Sequence, residues 1–393
     1  MNKVYFPGLN GLRFIAAFFV FIAHTEHLKS TIGALNFSTL HFFQVAGAAG
    51  VDLFFSISGY LITYLLLIEK DNYKTVKLRD FYIRRILRIW PLYYFILLVT
   101  LIVIPAFIKF APMYVDGFIE GKGLFFFTFF MPYVAISFLP VNFMASVLWS
   151  VGVEETYYIF WPIIMQRFGG INSRVFLIGF CVFLSIKAVI TFVPYKLPDP
   201  HHILHILSTV FGFLRIECML IGGAFAWLVK SGNKIIDVLK NRYTFLGTVI
   251  VLVIFLVWGF HPLYAHVNAI FQTLLDPVFY AILCSIVIIN VTTHPSLYRP
   301  LEHKLLYELG QISYGFYVYH CIAIFLTMLL LRHIAALNTA GVLFATLFFL
   351  LSLSLALIFS YISYYYFESI FLKMKGRFTH IISGADAKKH DNN

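Results

Sequence analysis

Residues 50–109 read GVDLFFSISGYLITYLLLIEKDNYKTVKLRDFYIRRILRIWPLYYFILLVTLIVIPAFIK. Two apolar runs, roughly 50–68 and 89–109, flank a connector that carries Lys70, Lys74, Lys77, Arg79, Arg84, Arg85 and Arg88. Each run is about 20 residues long, the length a helix needs to cross the hydrocarbon core. Strand alternation is absent. A bilayer core offers no water to free backbone groups, so both runs are predicted to be membrane helices. A short basic connector between such helices marks the cytoplasmic side.

Outward from there the same pattern recurs. Further runs lie at about 11–28, 149–168, 174–194, 208–229, 244–260, 269–291, 312–331 and 341–365, which makes ten spans. With ten spans and both termini cytoplasmic, the basic segments 167–174, 230–242 and 299–304 fall inside, as do Lys373, Lys375 and Arg377. One more apolar run, 124–139, is broken by Pro132 and closed by Pro140. Were it to span, most later basic loops would flip outside, so it is expected to be an interfacial or re-entrant piece on the outer side. The fold expected is an all-α polytopic membrane helix bundle of about ten transmembrane helices. Residues 1–368 form its membrane domain, and 369–393 a loose, polar, cytoplasmic tail.

Composition agrees. Of 393 residues, 61% are hydrophobic and 12% charged, against about 25% charged in a soluble domain. The formal charge of +11 reads as loop anchoring beside the lipid bilayer and gives no reason to invoke nucleic acid. Cys181, Cys218, Cys284 and Cys321 each sit in an apolar run without CxxC spacing, and imply neither disulfides nor a metal site. The first run holds Arg13 and His24 and ends in no small-residue cleavage site, so it reads as a retained helix and not as a signal peptide.

An ionisable side chain at the centre of a membrane helix costs about 2.5–3.5 kcal/mol on insertion scales, and usually marks function. Arg13 and His24 are eleven residues apart. At about 100° per residue they share one face, about 16 Å apart along the axis. The plainer readings are a snorkelling arginine and a core histidine. Asp52, at the outer end of the second run, is placed to orient His24, unless it merely complements the helix dipole. Ser58 and Gly59 suit close helix packing. Arg85 and Arg88 share a helix face with Arg84 to the side; such a cluster fits phosphate binding or simple anchoring. Ser150 and Glu154 are one turn apart, and Glu155 adds a second acid at an outer helix end. Arg215, Glu217, Asp276 and His320 follow in later runs, with Arg215 expected to pair with Glu154 or Asp52. Lys187 reads as snorkelling. His201, His202 and His205 crowd one outer loop, which a solvated loop explains better than a metal.

Five stretches in order resemble membrane acyltransferase family 3, the bacterial O-acetyltransferases of surface polysaccharides. GLNGLRFIAAFFVFIAH resembles the opening Arg-x10-His element, carried by Arg13 and His24. GVDLFFSISGYLIT resembles the next block. FYIRRILRIWPLYY resembles the arginine motif, LWSVGVEETYYIFWP the Ser-x3-Glu element, and ISYGFYVYH the late block ending at His320. Asn10 stands where Asp is common, Tyr319 where Trp is common, and no Pro follows His320. The resemblance implies a single membrane domain without the additional hydrolase-like domain some members carry, acting alone in the bacterial cytoplasmic membrane. It implies acyl-coenzyme A, usually acetyl-CoA, as co-substrate, no metal, and a hydroxyl of a cell-surface carbohydrate or its lipid-linked precursor as acceptor. Arg85, Arg88, Arg84 and Arg13 would hold coenzyme A. His24 would be the general base or, alternatively, an acyl carrier. Asp52 or Glu154 would set its tautomer, with Ser150, Glu155, Arg215 and His320 in support. The rival classes are a secondary transporter or flippase for a glycan-type substrate, which would bury similar charges without consuming thioester, and a non-enzymatic scaffold. No motif encodes the acceptor sugar or an oligomeric state.

Overall fold

The structure, a computed structural model, describes residues 3–104, 121–139, 141–168, 174–192, 203–259, 269–332 and 341–383. Eight helical stretches within them are long and apolar enough to cross a membrane: Leu9–Thr31, His41–Tyr73, Leu78–Val103, Arg174–Phe192, Ile203–Ser231, Thr273–Thr293, Ser313–Leu331 and Val342–Phe378. Two more helices match the remaining expected spans. Trp149–Arg167 carries the Glu154–Glu155 pair, and Arg242–Trp258 is 17 residues long. The chain is a multi-pass, all-α membrane protein.

The helices used below are α1 (Leu9–Thr31), α2 (His41–Tyr73), α3 (Leu78–Leu98), α4 (Trp149–Arg167), α5 (Arg174–Phe192), α6 (Ile203–Phe213), α7 (Ile216–Ser231), α8 (Arg242–Trp258), α9 (Ala269–Thr293), α10 (Ser313–Arg332) and α11 (Val342–Ile362). Helix α2 is the hub, packed against α1 on one side and α7 on another. Small residues set these approaches. A Cβ on Gly59 would lie 2.0 Å from the Met219 carbonyl oxygen, and one on Gly222 would lie 2.2 Å from that of Ser56, so α2 and α7 touch backbone to backbone. Helix α8 is peripheral: Thr248 is its one buried residue, while Ile250 and Trp258 are exposed to the surroundings, which for such a surface are lipid.

The proline-broken run folds as two short helices, Gly121–Thr128 and Pro132–Ile136. At 1.5 Å per residue neither approaches the roughly 30 Å of a bilayer core. They lean on the bundle: Tyr93 and Tyr94 donate to the Phe127 and Thr128 carbonyls, at 2.7 and 2.9 Å. Pro140 lies outside the described residues. The expected sixth span is interrupted at Leu214–Arg215, between α6 and α7. In a membrane, non-helical backbone survives only where protein or a cavity shelters it, and Arg215 lines a cavity here.

The stretch expected to be loose after residue 368 is tied down as far as Ser383. Ile382–Ser383 pairs in parallel with Lys3–Val4. His380 Nε2 lies 2.6 Å from Asp80 Oδ2, and Arg84 donates to the Phe378 carbonyl at 2.7 Å. Both ends of the described chain therefore lie at the same end of the bundle.

Candidate active site

Four adjoining cavities run through the bundle. The first, of about 610 Å³, lies at the end where the termini meet and is lined by Glu69, Arg84, Arg85, Arg88 and Lys375 among others. Arg85 and Arg88 also line the second, of about 600 Å³, together with Tyr5, Asn10 and Arg13. The third, of about 700 Å³, holds Arg13, Ser58, Arg85, Arg88, Ser150, Glu154, Tyr158 and Tyr317. The fourth, of about 1100 Å³, contains His24, His27, Gln44, Trp149 and Arg215; Val51 and Tyr317 line both it and the third. Helix α1 thus delivers Arg13 and His24 to one series of adjoining cavities, as their spacing predicts.

The third cavity is electrostatically incomplete. Arg13, Arg85 and Arg88 face a single carboxylate, Glu154, which accepts from Ser58 Oγ at 2.7 Å and from the Tyr158 hydroxyl at 3.2 Å. Among the described residues none of these three guanidiniums forms an ion pair. Arg85 lies over the rings of Phe81 and Tyr158, 5.5 and 5.4 Å from their centroids, and its buried Nε has no partner. Planar guanidiniums left unpaired in a cavity are a receptor for an anion with several oxygens, phosphate above all. Arg84 is more committed, with Glu69 at 3.4 Å and the Phe378 carbonyl as partners. Glu155 faces away from these cavities; Trp90 Nε1 donates to it at 3.3 Å, and its other oxygen is buried without a partner.

His24 is half-buried, and its partner is His320. The two rings are nearly parallel, at 3°, with His24 Nδ1 2.8 Å from His320 Nε2. Behind it, His320 Nδ1 makes a very short contact with the Tyr317 carbonyl. A carbonyl can only accept, so that nitrogen carries hydrogen. With both rings neutral, His320 Nε2 is then an acceptor, His24 Nδ1 donates to it, and His24 Nε2 keeps its lone pair. That is the tautomer a general base needs.

Four sequence expectations change here. Asp52 was expected beside His24, but both its oxygens accept from Arg215 Nη1, each at 2.7 Å. A desolvated carboxylate gains more from a permanent cation than from a neutral imidazole. Glu154 stays with the arginines and does not reach the level of His24. Arg215 does pair with one of the two acids proposed for it. Lys187 does not snorkel: it is fully buried, its Nζ 2.5 Å from Glu217 Oε1. Ser58, read as packing, is instead the donor to Glu154. Ser150 hydrogen-bonds the Tyr317 hydroxyl at 2.6 Å. Tyr317 itself escaped the sequence reading, although it lies one turn before His320 on the same helix face. His201 and His202 lie outside the described residues.

The Asp52–Arg215 pair gives a stability prediction. Asp52→Ala leaves a half-buried guanidinium uncompensated and is expected to cost about 3–5 kcal/mol. Replacing both partners by Leu and Met is expected to recover most of it. Unfolding of the detergent-purified variants checks both statements.

This is the membrane bundle of an acyltransferase family: residues 6–365 match the acyltransferase domain model, and the chain belongs to membrane acyltransferase family 3. Among its relatives is a Staphylococcus aureus (strain COL) protein provisionally named an O-acetyltransferase, 28% identical over 390 residues, which cover 94% of this chain and 58% of that one. Peptidoglycan O-acetyltransferase OatA of Listeria monocytogenes is 28% identical over 83% of this chain and 50% of its own length. A Bacillus subtilis protein, YrhL, provisionally named a peptidoglycan O-acetyltransferase, is 29% identical over 80% of this chain and 48% of its own. The chain spans about half the length of these curated relatives. No solved structure matches it.

Proposed function

We propose that this protein transfers an acyl group, acetyl in the simplest case, from acyl-coenzyme A to a hydroxyl of a cell-envelope glycan. The observation that carries the reading is the excess of guanidinium over carboxylate in a cavity that leads to His24. Arg13, Arg85 and Arg88 bind the donor's phosphates at the end where the chain termini meet, and positive-inside charge makes that end cytoplasmic. Coenzyme A supplies the activated thioester. Its acyl end passes between Val51 and Tyr317 and stops beside His24.

In the fourth cavity the acceptor hydroxyl gives its proton to His24 Nε2 as its oxygen attacks the acyl carbon. His24 Nδ1–H stays on His320 Nε2, so the imidazolium that forms keeps a fixed orientation. Collapse of the tetrahedral species forms the ester and expels the coenzyme A thiolate, which takes the proton back from His24. Trp149, Gln44 and His27 offer one aromatic and two polar groups to a sugar in that cavity. A glycan of the peptidoglycan type is the acceptor we favour, since OatA and YrhL carry that acceptor in their names.

The test is to incubate membranes containing the protein with acetyl-labelled coenzyme A and envelope glycan. Label should enter the glycan as an alkali-labile ester, with one free coenzyme A released per ester. Glycan movement across the membrane without thioester consumption would overturn the reading in favour of a transporter.

A further inference from the structure

Beside the outer cavity lies a group of atoms whose chemistry goes beyond acyl transfer. His24 Nδ1, His320 Nε2 and Cys321 Sγ all lie within 4.8 Å of one another. The two nitrogens are 2.8 Å apart, and the sulfur is 3.3 Å from His320 Nε2 and 3.7 Å from His24 Nδ1. Ligands that share one ion at bond lengths of about 2.0–2.3 Å stand roughly 3.3–3.8 Å apart, so the sulfur is already near its place and the two nitrogens, now at hydrogen-bond distance, part by about half an ångström on binding.

The surroundings suit a metal as well. His320 and Cys321 are fully buried, and His24 opens on the fourth cavity, which gives an entry path. His320 is already oriented as a ligand, because its Nδ1–H is held by the Tyr317 carbonyl. A carbonyl behind an imidazole is the usual arrangement that fixes a metal-binding tautomer. Ligand identity, outer support and an entry path are among the features a metal site must show.

Charge selects the ion. One thiolate and two neutral imidazoles carry a single negative charge. The nearby carboxylate of Asp52 is already held by Arg215. A monovalent cation therefore gives a neutral complex, whereas a divalent one leaves a net charge in a poorly solvated place. Thiolate and imidazole are also the ligands that favour Cu+ among the biological metals.

We propose that His24, His320 and Cys321 form a three-coordinate site for a soft monovalent cation, Cu+ or its analogue Ag+. On binding, the Cys321 thiol releases its proton to solvent and the His24 Nδ1 proton shifts to Nε2; no electron is transferred. The site rests on ligand geometry and charge, and stands apart from the role given to His24 in acyl transfer. Where that role holds, the metal inhibits, because it turns Nε2 from acceptor to donor.

The experiment titrates the full-length protein in detergent, without oxygen, with Cu+ in competition with a coloured Cu+ chelator. Wild type should take up one more Cu+ per chain than Cys321→Ser or His320→Ala. X-ray absorption of copper-loaded wild type, which needs no variant to fold, should show one sulfur and two nitrogen neighbours. Equal uptake by wild type and Cys321→Ser, or a copper shell without sulfur, overturns the site. Displacement of Cu+ by equimolar Zn2+ overturns the choice of a monovalent ion. Acetyl transfer measured on the same samples separates the two readings: copper bound with transfer undiminished keeps the site and removes His24 as base.

Discussion

His24→Ala is expected to lower acyl transfer about 10²–10⁴-fold, the range a positioned general base contributes. The Michaelis constant for acyl-coenzyme A should change little, because the arginine cavities keep all their side chains. The comparison needs membranes with equal amounts of wild-type and variant protein. Transfer within tenfold of wild type would remove His24 as the base, since no other imidazole of the fourth cavity has a second ring behind it. His27 lines the same cavity but is exposed.

The second large effect is expected from Arg85→Ala combined with Arg88→Ala. A hydrogen bond to a charged group contributes about 1.5–3 kcal/mol, and 1.4 kcal/mol is a factor of ten. Losing two such contacts should raise the Michaelis constant for acyl-coenzyme A about 10²–10⁴-fold, with turnover at saturation largely kept. The same change relieves repulsion among three like charges that face one carboxylate. The unliganded double variant should therefore unfold at the same temperature as wild type or higher. A variant that binds donor normally, or that loses stability and turnover together, would show that these arginines hold the bundle and not the ligand.

Much of this was legible in the sequence because it depends on period and charge. Arg13 and His24 share a helix face by arithmetic, and the order of basic loops separates the proline-broken run from true spans. What escaped is pairing across hundreds of residues. His320 sits 296 positions from His24, and nothing local says that their rings meet. Asp52 looked like the partner of His24 because both were placed at one level of the bilayer. The competition for it was decided by Arg215, which a helix break at Leu214–Arg215 turns toward it, and a lone glycine at 212 inside an apolar run is too weak a signal to announce the break. Lys187 misled for the opposite reason. A lysine near a helix end is read as reaching water, and only the fold shows Glu217 beside it.

The wall between the third and fourth cavities has a bioenergetic meaning. A bacterial membrane holds a voltage worth about 2.3 kcal/mol per elementary charge for each 100 mV, and an open aqueous bore would let ions run it down. Val51 and Tyr317, the latter hydrogen-bonded to Ser150, are the side chains that line both cavities, and on the proposed reading they would serve as an insulating diaphragm at that depth. The donor's phosphates would then stay on one side of it while the uncharged acyl thioester passed, so that a chemical group could cross the bilayer without short-circuiting the cell's own battery.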